Sequence, residues 1–228
     1  MFLREDAVID NWFGIHEGLL AGTRVPPIAT ERARISTAEL LLLFLCGAAA
    51  ASATGFIRLG LRVPGHAIVL AVIPMALGLS LAPRRLAGFV MSAGAFGTAS
   101  AMSLAGVGHY GTGAVISLCL AGPVMDFALA RVRSGRGIYL GLVLAGMAAN
   151  LLALASRGAS KLLGLDVAGA MRPFDSWWSQ ALVTYTLSGV VAGLIAAVCC
   201  FHLRRRKSPA RPETAAGKGS AAHPEMPS

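Results

Sequence analysis

Charge is what this 228-residue chain has least of. Only 14% of its residues are Asp, Glu, Lys or Arg, against roughly 25% in soluble domains. Aromatic residues are also few, at 7%. Hydrophobic residues reach 55%, and the mean hydropathy is +0.66. A soluble globular domain does not fit this balance, and neither does disorder, which needs low hydrophobicity. Period-two alternation is missing as well, which excludes a strand-built barrel. The chemical motifs are absent too. There is no G-x-x-x-x-G-K-[ST], and the tail segment Ala216-Gly217-Lys218-Gly219-Ser220 lacks the preceding glycine and a strand-to-helix setting. His16-Glu17-Gly18 is not H-E-x-x-H, since position 20 is Leu, and no G-x-S-x-G elbow occurs. No pair of carboxylates shares a membrane region, so no acid–base engine is expected, and no cofactor.

What is present is a set of apolar runs near twenty residues long, at 38–57, 63–82, 86–107, 111–130, 137–155 and 181–201. At 1.5 Å per residue each reaches across a hydrocarbon layer of about 30 Å. The expected fold is all-α, a polytopic membrane bundle of six transmembrane helices occupying residues 36–203. The first 35 residues precede it. There Val8, Ile9, Trp12, Phe13, His16, Leu19 and Leu20 share one side of a helical wheel, as in a helix lying in the cytoplasmic interface. Residues 204–228 are rich in Pro, Ala and Gly without apolar periodicity and read as a disordered basic tail. The first long apolar run begins only at residue 38, so no cleavable signal sequence is expected.

The net charge of +9 would point to nucleic acid in a soluble protein. Here the Arg residues lie between apolar runs, where they set topology instead, and no nucleic-acid partner is expected. With the amino terminus inside, the inner side carries Arg24, Arg32, Arg34, Arg84, Arg85, Arg131, Arg133, Arg136 and the cluster at 204–207. The outer side carries Arg58, Arg62, Arg157, Lys161 and Arg172. This imbalance predicts both termini in the cytoplasm and a location in the inner or plasma membrane. The one long connection, 156–180, is an outer loop bearing Trp177 and Trp178 at the interface.

Polar residues within the spans are unevenly placed. The outer halves hold Ser52, Thr54, His66, Thr98, Ser100, Ser103, Thr112, Ser117, Asn150, Thr184, Tyr185, Thr186 and Ser188. The inner halves hold Glu39, Ser80, Ser92, Asp126 and Tyr139. Polar groups in hydrocarbon need partners, so this bias predicts a polar cavity open to the outside. The alternative is that hydroxyls bond back to their own helix carbonyls. His66 and His109 fall at outer helix ends, as solute contacts or as turn residues bonded to backbone; a metal role is left unassigned. Asn150 is an interhelical bond former or a ligand contact. Asp175, Trp177, Trp178 and Tyr185 cluster where the outer loop re-enters, and together they could cover a flat heterocycle.

The third run, built mainly of Gly, Ala, Ser and Thr, is expected at the centre of the bundle. Gly47, Ala51 and Gly55 form a small-residue stripe on the first helix, able to seat a partner helix or to pack within this chain. Asp126 is read as one half of an ion pair with Arg84, Arg85 or Arg131. Cys46, Cys119, Cys199 and Cys200 all lie inside runs, so no structural disulfide is expected.

From about residue 37 to 201 the chain resembles the S components of energy-coupling factor transporters. The resemblance rests on the six runs, the Gly47-Ala51-Gly55 stripe, the outer polar bias and the missing ATPase motif. It also rests on Val63-Pro64-Gly65-His66, Pro74-Met75-Ala76-Leu77-Gly78-Leu79, residues 117–126 and Trp177-Trp178. It implies a substrate-capture subunit for a vitamin-like molecule or metal ion. That subunit would dock on a transmembrane coupling subunit driven by ATPases in trans, and would hydrolyse nothing itself. His66, His109, Asn150, Asp175, Trp177 and Tyr185 would then contact the solute, and Gly47, Ala51 and Gly55 the partner. The cobalt and nickel members carry His directly after the initiating Met, where this chain has Phe2. A membrane protein of structural or assembly role, meeting lipid but no solute, is the competing expectation. An autonomous small-solute carrier and a lipid-modifying enzyme are the further alternatives.

Overall fold

A computed structural model describes residues 35–57, 65–107, 110–132, 135–164 and 174–206. All the regular structure there is helical: α1 Thr37–Phe56, α2 Ala67–Leu81, α3 Ala87–Leu104, α4 Thr112–Arg131, α5 Gly135–Leu162 and α6 Phe174–Arg206. Five of these, all but α2, are long and apolar enough to cross a membrane. The chain is a multi-pass helical membrane protein. The interfacial helix expected in the first 35 residues lies outside the described residues, as does the tail beyond residue 206.

The helices run alternately up and down. Glu39 at the start of α1 meets Arg84 in the α2–α3 turn, with N···O separations of 3.1–3.3 Å. At the opposite end the Tyr110 hydroxyl, between α3 and α4, donates to the Ala51 carbonyl of α1 at 3.0 Å. The first of these is the basic end, holding Arg84, Arg85, Arg131 and the end of α6 at Arg206. The second is the tryptophan end. Burial pushes the Tyr110 phenol above its ordinary value near 10. The folded state therefore holds that proton more tightly than the unfolded state does. The resulting stability is intact below pH 10 and is lost as pH rises through the shifted value. Tyr110→Phe should flatten the decline in melting temperature above pH 10 that the parent protein shows.

α2, not α3, is the central helix. It packs against α1, α3, α4 and α6. Ile68, Ala71, Val72, Met75, Ala76 and Leu79 are all buried in the main core. Its sequence is apolar all round, and Ile73, Leu77 and Leu81 form one narrow outer edge. α3 instead leaves Phe89, Phe96 and Leu104 exposed. Its small residues serve two close crossings. A Cβ on Gly47 of α1 would fall on the Met91 carbonyl, and one on Gly94 of α3 would meet Phe44, 2.6 Å from its carbonyl oxygen. On α3's other side Gly88 faces Gly122 of α4, backbone against backbone. Gly47, Ala51 and Gly55 are buried. The first two pack among the chain's own helices and Gly55 lies under Tyr110, so the stripe is used inside this bundle. Docking of a partner on that face is not what the arrangement offers.

Two junctions differ from their expected boundaries. α2 begins at Ala67 rather than 63, because Gly65 takes a φ of +87°, a conformation that breaks a helix and suits glycine alone. The expected outer loop 156–180 is mostly helix: α5 continues to Leu162 and α6 starts at Phe174. Trp177 and Trp178 therefore stand on α6, on the helix itself. Apolar runs mark hydrocarbon, and a helix does not have to stop where hydrocarbon stops.

Asp126 also has a partner the sequence did not name. Its carboxylate accepts the Phe89 N–H of α3 at 2.9 Å. Phe89 lies in the first turn of α3, where N–H groups have no intrahelical acceptor. The preceding residue that should cap them is Leu86, in a left-handed conformation at φ 63° and without a polar side chain. Asp126 thus caps α3 from α4, while the guanidinium of Arg84 forks onto Glu39. One turn away, Ser92 donates to the Leu118 carbonyl at 2.9 Å and accepts the Gly122 N–H at 3.2 Å. Those two groups would bond each other in a regular helix, so the hydroxyl is inserted into the α4 ladder just before Pro123.

Candidate functional site at the tryptophan end

α2, α5 and α6 meet around Asn150. Its side chain is fully buried, at 0% exposure. The amide nitrogen donates to the Tyr185 carbonyl of α6 at 2.7 Å and to the Gly65 carbonyl before α2 at 3.4 Å. Both partners are carbonyls, so the amide orientation is set: the NH2 must face them. The Oδ1 then points the other way and has no hydrogen-bond partner among the described residues. A buried acceptor left unpaired costs about 1–3 kcal/mol.

Gly65 makes this contact possible. A Cβ there would sit 3.1 Å from the Tyr185 ring and 3.2 Å from the Asn150 amide nitrogen, in a backbone conformation side chains avoid. Its neighbour His66 is half-buried and caps α2 through backbone only, without a side-chain capping bond. Tyr185 is buried, and its hydroxyl lies beside Gly113 of α4 and the Arg157 side chain of α5. Ala153, Leu154, Trp177, Ala181 and Tyr185 form a small apolar cluster separate from the main core.

Trp177 is 8% exposed, whereas Trp178 is at 36% and lies over Gly158 of α5. The two rings are tilted, with centroids 6.2 Å apart. Two cations face Trp177: the Lys161 ammonium at 5.0 Å and the Arg157 guanidinium at 5.9 Å from the ring centroid. The four-residue spacing of Arg157 and Lys161 signals one helix face, but only once α5 is known to extend that far.

Of the expected site residues, His66, Asn150, Trp177 and Tyr185 converge on this end. Asp175 lies in the first turn of α6, and His109 is outside the described residues. Arg157, Lys161 and the Gly65 carbonyl are additions. Among the described residues no three His, Cys, Asp or Glu side chains come together to hold a metal ion.

Three of the hydroxyls expected to line a polar cavity bond within their own helices instead. Thr54 donates to Ala50, Thr184 to Gln180 and Ala181, and Thr186 to Leu182, all carbonyls of their own helices at 2.7–3.0 Å. A groove of about 760 Å3 lies in the other half of the bundle, between α4 and α5, and its lining is almost wholly apolar. Comparison of the chain with protein families, with curated proteins and with solved structures returns no match.

Proposed function

We propose that the protein is a six-span membrane protein, both termini cytoplasmic, that captures a small solute at the junction of α2, α5 and α6. The single observation that supports this is the Asn150 Oδ1: a buried acceptor, fixed in direction by two carbonyls, with no donor facing it among the described residues. The solute would offer an N–H or O–H to that oxygen. Tyr185, Trp177 and His66 would surround it, with Arg157 and Lys161 adding positive charge. Entry would proceed by displacement of the Gly65-His66 turn, whose bond to Asn150 is the longer of the two at 3.4 Å. The resemblance to S components adds ATPases acting in trans through a coupling subunit, so this chain would hydrolyse no ATP. Its docking surface would not be the Gly47 stripe, which α3 covers.

α2 is the shortest of the six helices, and its 15 residues reach only about 22 Å. It packs against four other helices, and the Gly65-His66 turn can lie below the interface in contact with protein.

The second reading is a structural or assembly protein with no solute. It draws support from the threonines bonded to their own helices and from the internally used stripe. One experiment separates the two: mass spectrometry of small molecules retained by the full chain purified in mild detergent, for the parent and for Asn150→Leu. Solute capture predicts a retained molecule that falls at least tenfold in the variant. The structural reading predicts no retained molecule and only a shift in melting temperature. Equal retention by parent and variant would reject Asn150 as a contact.

A further inference from the structure

The groove between α4 and α5 has a composition and a length of its own. Its floor is built of small residues on α5, Gly137, Gly141 and Ala145, and its sides of Phe127 and Leu140, both more than half exposed. The α5 wall runs from Gly137 to Ala148, about 16 Å at helical rise. That is half of a hydrocarbon core of about 30 Å, hence the depth of one leaflet. The far end stops near the middle of both helices, at Pro123 and Ala148. The near end holds Arg131, the one charged residue of the lining among the described residues. Its guanidinium carbon lies over the Phe127 ring, 3.6 Å from the centroid. The guanidinium suits phosphate oxygens in a forked arrangement.

We propose that this groove binds one acyl chain of an anionic glycerophospholipid, with the lipid phosphate on Arg131. Depth and charge together select this occupant. A partner helix would cross both leaflets and need a face continuing beyond Pro123 and Ala148, where the groove ends. A lipid chain needs one leaflet and a cation at the headgroup level. The surrounding end is basic, with Arg84 and Arg85 in the adjoining turn and Arg136 at the start of α5, which concentrates anionic lipid there.

The test uses the full chain in maltoside micelles, with palmitoyl-oleoyl phosphatidylglycerol or phosphatidylcholine added and bound lipid counted by native mass spectrometry. The parent should bind one phosphatidylglycerol at least tenfold more tightly than phosphatidylcholine. Arg131→Gln should abolish that preference while phosphatidylcholine still binds, and Arg131→Lys should retain most of it. Ala148→Phe, at an exposed position of the groove's deep end, should weaken both lipids at least tenfold. Circular dichroism on each variant reports the fold, and Arg131→Lys with Ala148→Phe carries the test where Arg131→Gln does not fold. Equal binding of the two lipids by the parent would overturn the proposal. So would an unchanged preference in Arg131→Gln, or loss of a chain dimer rather than of lipid in Ala148→Phe.

Discussion

Gly146→Val should destabilise the bundle by about 3 kcal/mol or more, toward the upper end of overpacking costs. α5 and α6 cross where Gly146 faces Gly189 and Gly193. A Cβ on Gly146 would fall on the Gly189 carbonyl and lie within 2.9–3.0 Å of the Gly193 N and Cα. The reverse holds too: a Cβ on Gly189 would lie 2.8 Å from the Gly146 carbonyl oxygen and from the Met147 Cα. Every neighbour here is backbone, so no side chain can swing away, and relief requires the helices to separate. Separation would remove dispersion contacts along the crossing, which lipid tails do not replace with equal fit. It would also pull the Tyr185 carbonyl from Asn150. The control is Gly97→Val on α3, where an added Cβ meets nothing within 4 Å and the helix propensity of valine is, if anything, better than that of glycine. Thermal unfolding in detergent, followed by helical circular dichroism, should show a fall for Gly146→Val and less than about 1 kcal/mol of change for Gly97→Val. Equal stability of the two variants would mean that the helices do not approach at Gly146.

The all-helical, membrane-embedded class was legible because hydrophobic runs near twenty residues leave few other outcomes. Which helices touch was not. The third run looked central because small residues permit close approach, yet α3 spends them on two neighbours and faces outward with Phe89 and Phe96. Centrality went to the helix with no polar face, α2, a signal present in its uniform hydropathy. The Gly47 stripe predicts close packing equally well within a chain and between chains, and only the position of Met91 decides it. Asn150 and Tyr185 were legible as polar groups needing partners. Their meeting depends on a glycine with positive φ in the turn before α2. The acceptor left over on Asn150 depends on two carbonyls, which belong to every residue and so leave no mark in a sequence. The same reason hid the partner of Asp126. A carboxylate near three arginines reads as half of an ion pair, and a backbone N–H carries no letter.

That partner gives the other large effect. Asp126→Leu should cost about 3 kcal/mol, from an unpaired first-turn N–H at about 1–3 kcal/mol and lost interaction with the α3 dipole at about 0.3–1 kcal/mol. Leu86 offers no replacement, and Asp126 is 7% exposed, so water has little access to the freed N–H. Asp126→Asn keeps an oxygen that can accept from Phe89 and loses only the charge, so it should cost about 1 kcal/mol. A carboxylate held chiefly by arginine would behave differently: Asn would be nearly as damaging as Leu, and Arg84→Ala would remove much of the same energy. The structure places the Arg84 guanidinium on Glu39. A double-mutant cycle between Arg84→Ala and Asp126→Leu should therefore be additive within about 0.5 kcal/mol. Coupling well above that value, read from unfolding midpoints of the four proteins, would show that Arg84 shares in holding Asp126.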